Sequence, residues 1–335
     1  MRNHWPIFLI AMGPLLVLGS PSRSDRAYEE QPAPLFLFQD RPIPQPCVDR
    51  PLKVPRRPGS SYVTLSPQAP FARTRLEHLA FSRTEIPSLT LAGEFASRIE
   101  ITGGERDGWA MRLCARGEGD TGPEALARMQ TVSMTRVGST FSMDGHGGGP
   151  FHDAFADLWV DAPADAPVTV HTFGWVKVRD MNGSLRISSR GRTTILNSPG
   201  KIDFNGDLVD YSGSSGTVNL NAATEINLNF TAQRFDGKLS ANGRRPVRAL
   251  LPRGFETPFQ AVVGRRQDFI CRADVCSQMQ PGRENGLYTF TYKGDGTTGR
   301  PPIWLRSENS TVVIDNLNCT EMAKALGSCG QEEKR

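Results

Sequence analysis

"NGSLRISSRGRTTILNSPGKIDFNGDLVDYSGSSGTVNL", residues 182–220, carries short apolar alternations that return at a steady interval: Leu185 and Ile187, Ile202 and Phe204, Val218 and Leu220. A glycine stands two residues ahead of each pair, at Gly183, Gly200 and Gly216, and a second glycine series runs through Gly174, Gly191 and Gly206. Residues opening successive short strands are Val168, Val176, Leu185, Thr194, Ile202, Val209, Val218 and Ile226, seven to nine apart and close to 17 apart when taken two at a time.

Alternate residues of a strand face one side, and glycine accepts the positive φ of a tight corner. Two strands and two corners per circuit make a coil of about 17 residues, and such coils stack at a strand spacing of about 4.8 Å. The expected fold is therefore mainly β, a β-solenoid or β-helix-like repeat with those six glycines as corners. An antiparallel meander or sandwich is the alternative, because strands every eight residues with turn signals suit it too. In the coil arrangement Leu185 lies on Ile202 and Ile202 on Val218; in a meander the neighbour is about eight residues away.

The outward positions are polar. Arg186, Asp203 and Asn219 fall in one row and Ser188, Asn205 and Asn221 in another, with Asn227 and Asn229 extending the stripe. Arg186, Asp203, Asn219 and Asn221 form the candidate binding face. An ion pair of Arg186 with Asp203 is expected there, worth at most about 1 kcal/mol.

Around the repeat (residues 161–316), the segment 89–160 reads as a small α+β lead-in. Arg98–Thr102 and Trp109–Ala115 alternate about a Gly103-Gly104…Asp107-Gly108 turn, as a hairpin would. Thr121 followed by Pro123 and Glu124 signals a helix start, with Leu126 and Met129 on the buried side. Val132–Val137 and Ser139–Met143 pair around Gly138. Towards the C-terminus, the strand-like stretches Pro246–Leu251, Phe259–Gly264, Leu287–Lys293 and Thr311–Asp315 suit a cap for the open end of the stack.

At the N-terminus Arg2 precedes an apolar run from Ile7 to Leu18 and then Gly19 and Ser20, the pattern of a signal peptide over residues 1–20. Its length falls short of the roughly 20 apolar residues of a membrane span, so no span is expected after cleavage. Residues 31–70 hold ten of the 25 prolines, which predicts an arm or linker over residues 21–88. Residues 317–335 form a polar tail.

Six cysteines, Cys47, Cys114, Cys271, Cys276, Cys319 and Cys329, suit disulfides in an exported chain. Six allow 15 pairings, and proximity favours 271–276 and 319–329, leaving 47–114. A zinc site is disfavoured, with no C-x-x-C pair and no histidine near these cysteines.

The chemistry-bearing motifs are few. Gly145-His146-Gly147-Gly148-Gly149 resembles an esterase oxyanion loop, but no G-x-S-x-G accompanies it. Asp203, Asp207, Asp210 and Glu225 could serve a glycosidase only as a pair set about 5–9.5 Å apart. His146 and His152 have no third ligand in view. No phosphate loop or dinucleotide fingerprint occurs, so no cofactor and no metal are expected. The net charge of +4 is scattered, without aromatic interleaving, which argues against a nucleic-acid partner.

The stretch "PADAPVTVHTFGWVKVRDMNGSLRISSRGRTTILNSPGKIDFNG", with "SRIEITGG", "ALARMQTVSMTRVGSTFSM" and "PVRALLPRGFETPFQAVVGRR", resembles the bacterial "putative adhesin" family of β-strand repeats over residues 98–316. The resemblance implies an exported, all-β, repeat-containing domain without known catalytic residues. The proline-rich arm and the extra cysteines depart from that pattern. The expectation is a non-enzymatic exported protein presenting a stacked β surface to an envelope or surface partner, protein or glycan. The alternatives are a polysaccharide-acting enzyme on a β-helix and an envelope-stress accessory protein.

Overall fold

A computed structural model describes residues 47, 50–51, 71–93, 97–145, 154–265, 267–293 and 301–317. By contact the chain divides into residues 1–37 and residues 38–335, and everything described belongs to the second. The signal peptide, most of the arm, the His146 and His152 loop, and all of the tail beyond Leu317 lie outside the described residues.

The fold is mainly β, one large mixed sheet with one α-helix among the described residues. The first part holds β1 (Arg50–Pro51), β2 (Phe71–Ser82), β3 (Leu89–Gly93), β4 (Ser97–Gly104), β5 (Gly108–Gly119), α1 (Gly122–Thr131), β6 (Ser133–Val137), β7 (Thr140–Asp144) and β8 (Ala154–Pro163). The middle holds β9 (Val168–Thr172), β10 (Trp175–Arg179), β11 (Leu185–Leu196), β12 (Lys201–Gly213), β13 (Ser215–Phe230), β14 (Asp236–Gly243) and β15 (Val247–Leu251). The last part holds β16 (Phe259–Val263), β17 (Phe269–Cys271), a 3-10 turn at Asp274–Gln278, β18 (Gln280–Glu284), β19 (Leu287–Tyr292), β20 (Ile303–Ser307) and β21 (Val312–Asn316).

The pairings form two parallel series. One runs β7–β3–β9–β11–β12–β13–β14–β20–β16. The other runs β8–β4–β10–β11–β12–β13–β15–β21–β17. The long strands β11, β12 and β13 belong to both, and their registers shift at Ser189/Arg192 and Gly206/Leu208, where the chain passes from one series to the other. Leu185 pairs with Ile202, Ile202 with Val218 and Val218 with Leu239. Antiparallel strands flank both series: β2 and β5 at one end, β19 and β18 at the other, with β6 beside β7.

The alternation seen in the sequence sets what is buried. Val168, Leu185, Ile202, Val218 and Leu239 of the first series face inward, as do Val176, Thr193, Val209, Ile226 and Val247 of the second. Both sets belong to one core cluster, Thr193 excepted for its hydroxyl. Burying each such aliphatic side chain contributes about 1.5–3 kcal/mol. Thr194 therefore does not open an inward row; Thr193 and Ile195 point in and Thr194 is half-buried. At the C-terminal end Phe230, Phe255, Phe259 and Tyr292 stack in sequence with centroids 5.2, 6.4 and 5.3 Å apart. The Tyr292 hydroxyl donates to the Phe255 carbonyl at 2.7 Å. Every residue of β18 is exposed and one is Pro281, a blunted edge.

Several expectations need correction. Residues 71–82, inside the stretch read as an arm, form β2, because no proline falls between Pro70 and Pro87 and an alternating run fills that gap. The Arg98–Thr102 and Trp109–Ala115 runs do not pair as a hairpin: β4 lies between β8 and β10, and β5 between β2 and β8. Tertiary pairing outweighs the local turn signal because β4 continues the parallel series. The lead-in is thus part of the same sheet. The β6–β7 hairpin around Gly138 is present, with φ +62° at that glycine. Helix α1 starts at Thr121, whose Oγ1 accepts from Glu124 N–H at 3.3 Å. It buries Ala125 and Met129, while Leu126 is 42% exposed. The helix lies so close over β5 that a Cβ on Gly117 would meet Ala125 O and Met129 N at 2.2 Å, which turns position 126 away from the sheet.

Candidate binding face

The outward residues of the first series form register rows running across the strands. Thr169, Arg186, Asp203, Asn219 and Ser240 make one row; His171, Ser188, Asn205, Asn221 and Asn242 make the next. The four candidate residues divide between them: Arg186, Asp203 and Asn219 fall in the first row and Asn221 in the second. Asp203 is approached by Lys201 Nζ at 3.9 Å rather than by Arg186, since Lys201 lies on the same face two residues away.

The second row floors a groove of about 680 Å³. Its lining also takes in Phe173, Arg190, Asp207, Arg244 and Glu308, each at a point where the chain passes from a strand of the first series to one of the second. The Arg190 guanidinium lies 4.6 Å from the Phe173 ring centroid, and the ring is 44% exposed. Asn242 Oδ1 is shielded from solvent and has no hydrogen-bond partner. Among the described residues no hydrogen bond joins the amides of Asn205, Asn221 and Asn242 to one another. Sequence reasoning reached Asn205 and Asn221 by counting one period. It missed Asn242 because β14 follows β13 by 21 residues rather than 17, as in Asn221↔Asn242.

Asp203, Asp207, Asp210 and Glu225 do not pair in one cleft: of the four, Asp207 alone lines the groove. Asp203 and Asp207 belong to the first face and its corner, while Asp210 belongs to the second series. Asp210 is buried to 1% exposure, bonded by Arg192 Nε and by Asn227 Nδ2, the latter at 2.9 Å. Glu225 stands 3.6 Å from Arg248. Asn229 is buried and donates to Ser212 Oγ at 3.2 Å, so neither Asn227 nor Asn229 extends the exposed stripe. Tyr211 is also inward, its hydroxyl donating to Ser215 O at 3.1 Å, and burial pushes its phenol far above the usual range. Among the described residues no group of three or more His, Cys, Asp and Glu could hold a metal ion.

Five of the six glycines serve mainly close approach between strands. A Cβ on Gly183 would stand 2.4 Å from Ala166 O, one on Gly200 2.1 Å from Gly183 O, and one on Gly191 2.2 Å from Gly174 O. Gly206 would meet Ser189 O at 2.0 Å and Gly216 would meet Gly200 O at 2.9 Å. Of the six, Gly216 alone has a positive φ, +127°. The left-handed corners are instead Asp180 (φ +58°) and Asn197 (φ +47°), residue types that tolerate that region. Their 17-residue separation is the signal that could have found them.

Disulfides join Cys47 to Cys114 and Cys271 to Cys276; Cys319 and Cys329 lie outside the described residues. No described helix is long and apolar enough to cross a membrane.

No family model matches the sequence, so the resemblance to the adhesin family has no counterpart at that level. No curated protein matches it either. Among solved structures, the chain is similar to a "putative cell adhesion protein" from Clostridium sporogenes ATCC 15579, at 11% identity over 73% of this chain and 100% of that one, with a TM-score of 0.31. A "putative adhesin" from Bacteroides fragilis NCTC 9343 gives 9%, 72% and 97%, with a TM-score of 0.31. A "putative lipid binding protein" from Parabacteroides distasonis ATCC 8503 gives 8%, 72% and 97%, with a TM-score of 0.29. At such scores these likenesses carry no functional argument.

Proposed function

We propose that this is a non-enzymatic exported protein whose stacked β scaffold, a solenoid of about 17 residues per coil, presents the Ser188–Asn205–Asn221 face to an envelope or surface partner. The observation that carries the reading is the register: polar residues one circuit apart stand side by side above a continuous apolar interior. Such a face is rigid and repetitive, suited to holding an extended partner rather than to converging acid and base on one bond. The dispersal of Asp203, Asp207, Asp210 and Glu225 supports a binding role over a glycosidase built on those acids, which needs two facing carboxyls. Two disulfides and the leader-like residues 1–20 support export.

The test is a glycan array run beside a defined panel of envelope proteins, together with a reducing-end assay on the polysaccharides that bind. Retention without release of reducing ends is expected. Release of reducing ends, or no retention on either panel, would overturn the proposal.

A further inference from the structure

The occupant of the groove can be narrowed, on the footing of the binding role just proposed. We propose that the Asn205–Asn221–Asn242 row binds a neutral, β-linked oligosaccharide lying across the strands, about one sugar per rung.

Three observations carry this. Three side-chain amides stand on consecutive rungs, in register, at about 4.8 Å spacing. Each offers two donors and an acceptor, and no mutual hydrogen bond uses them up. The charges in the lining are balanced, Arg190 and Arg244 against Asp207 and Glu308, which disfavours both polyanions and polycations. Phe173 adds an exposed ring edge to the same lining.

Spacing separates a sugar chain from a peptide. Same-face groups of an extended peptide repeat at about 6.6 Å, two residues of strand, and fall out of step with the rungs after one period. An extended β-1,4-linked hexose chain advances by close to one rung per sugar, so each sugar reaches one amide; because the linkage turns every second ring over, alternate sugars do so through opposite hydroxyl edges.

Titration calorimetry with cellohexaose and chitohexaose, and with their disaccharides, tests the assignment. At least one hexamer is expected to bind with a Kd of about 1 mM or tighter, and its disaccharide about tenfold more weakly. Asn221→Ala and Asn242→Ala each weaken the hexamer about fivefold, the loss of one net hydrogen bond. Lys238→Ala, an exposed β14 side chain outside the groove, leaves it unchanged. Thermal unfolding of each variant checks folding, and exposed Asn205→Ala replaces Asn242→Ala should the latter unfold. No heat with either hexamer, or wild-type affinity in the asparagine variants, overturns the inference. Hexamer failure with retention on the protein panel leaves the binding role intact; release of reducing ends removes both.

Discussion

A Cβ placed on Gly200 would stand 2.1 Å from the carbonyl oxygen of Gly183, which precedes the neighbouring parallel strand. No real Cβ tolerates that distance, so the rungs must separate or the corner must bend. Gly200→Ala is expected to cost about 3 kcal/mol, the upper range of overpacking penalties. Gly104, where an added Cβ meets nothing within 4 Å, is the matched control, and Gly104→Ala should stay within about 0.5 kcal/mol. Urea unfolding of both variants measures the contrast; equal effects would refute the close-approach role.

Thr193 is fully buried in the inward row between Val176 and Val209, and its hydroxyl has no partner. An unsatisfied buried polar group costs about 1–3 kcal/mol. Thr193→Val keeps the branched shape and removes the hydroxyl, so stability should rise by about 1 kcal/mol. A lower urea midpoint in the variant would contradict this.

Asp210 is buried while Arg192, its partner, is 36% exposed. Removing the arginine strands a carboxylate in the wall of the second series. Arg192→Met is expected to cost about 3 kcal/mol, and adding Asp210→Asn should restore more than half of that. Additive losses in the double-mutant cycle would show that the two side chains do not act as a pair.

The Cys47–Cys114 bridge spans 67 residues and Cys271–Cys276 spans 5. On loop-closure entropy the first contributes about 4 kcal/mol and the second about 2. Paired cysteine-to-serine variants should therefore lower Tm more at 47/114 than at 271/276. The reverse order would mean that β1 and the segment around Cys47 add little to the fold.

Burial holds the Asp157 carboxyl above its usual range, against the opposing pull of Arg116 and Arg98. A raised folded-state pKa means that the native chain binds more protons than the unfolded chain just above the ordinary value. Asp157 therefore subtracts stability as pH rises through that window. Asp157→Asn should raise Tm at pH 7, with the gain shrinking as the buffer falls towards pH 4. A gain that does not depend on pH would point to packing instead.

Leu185, Ile202 and Val218 announce their pairing because the same inward alternation returns on three strands that lie parallel and in register. Gly183 and Gly200 announce themselves for a related reason, since a repeated corner leaves the same space each time. The helix start at Thr121 is legible because capping is a local interaction. Asn242 is not, because the insertion between β13 and β14 breaks the count that located Asn205 and Asn221. Leu126 misleads, because helical periodicity gives the apolar stripe but not its rotation above Gly117.

The sequence by itself determined the mainly-β class and the alternation that divides inside from outside, both set by neighbours close along the chain. Only the tertiary structure decided that β4 joins β8 and β10 instead of folding back on β5, that Asp210 is buried with Arg192 and Asn227, and that three asparagines share one groove. Those outcomes depend on which strands pair across long stretches of chain. Turn and strand propensities do not encode that choice; it is settled by the free energy of closing one common core.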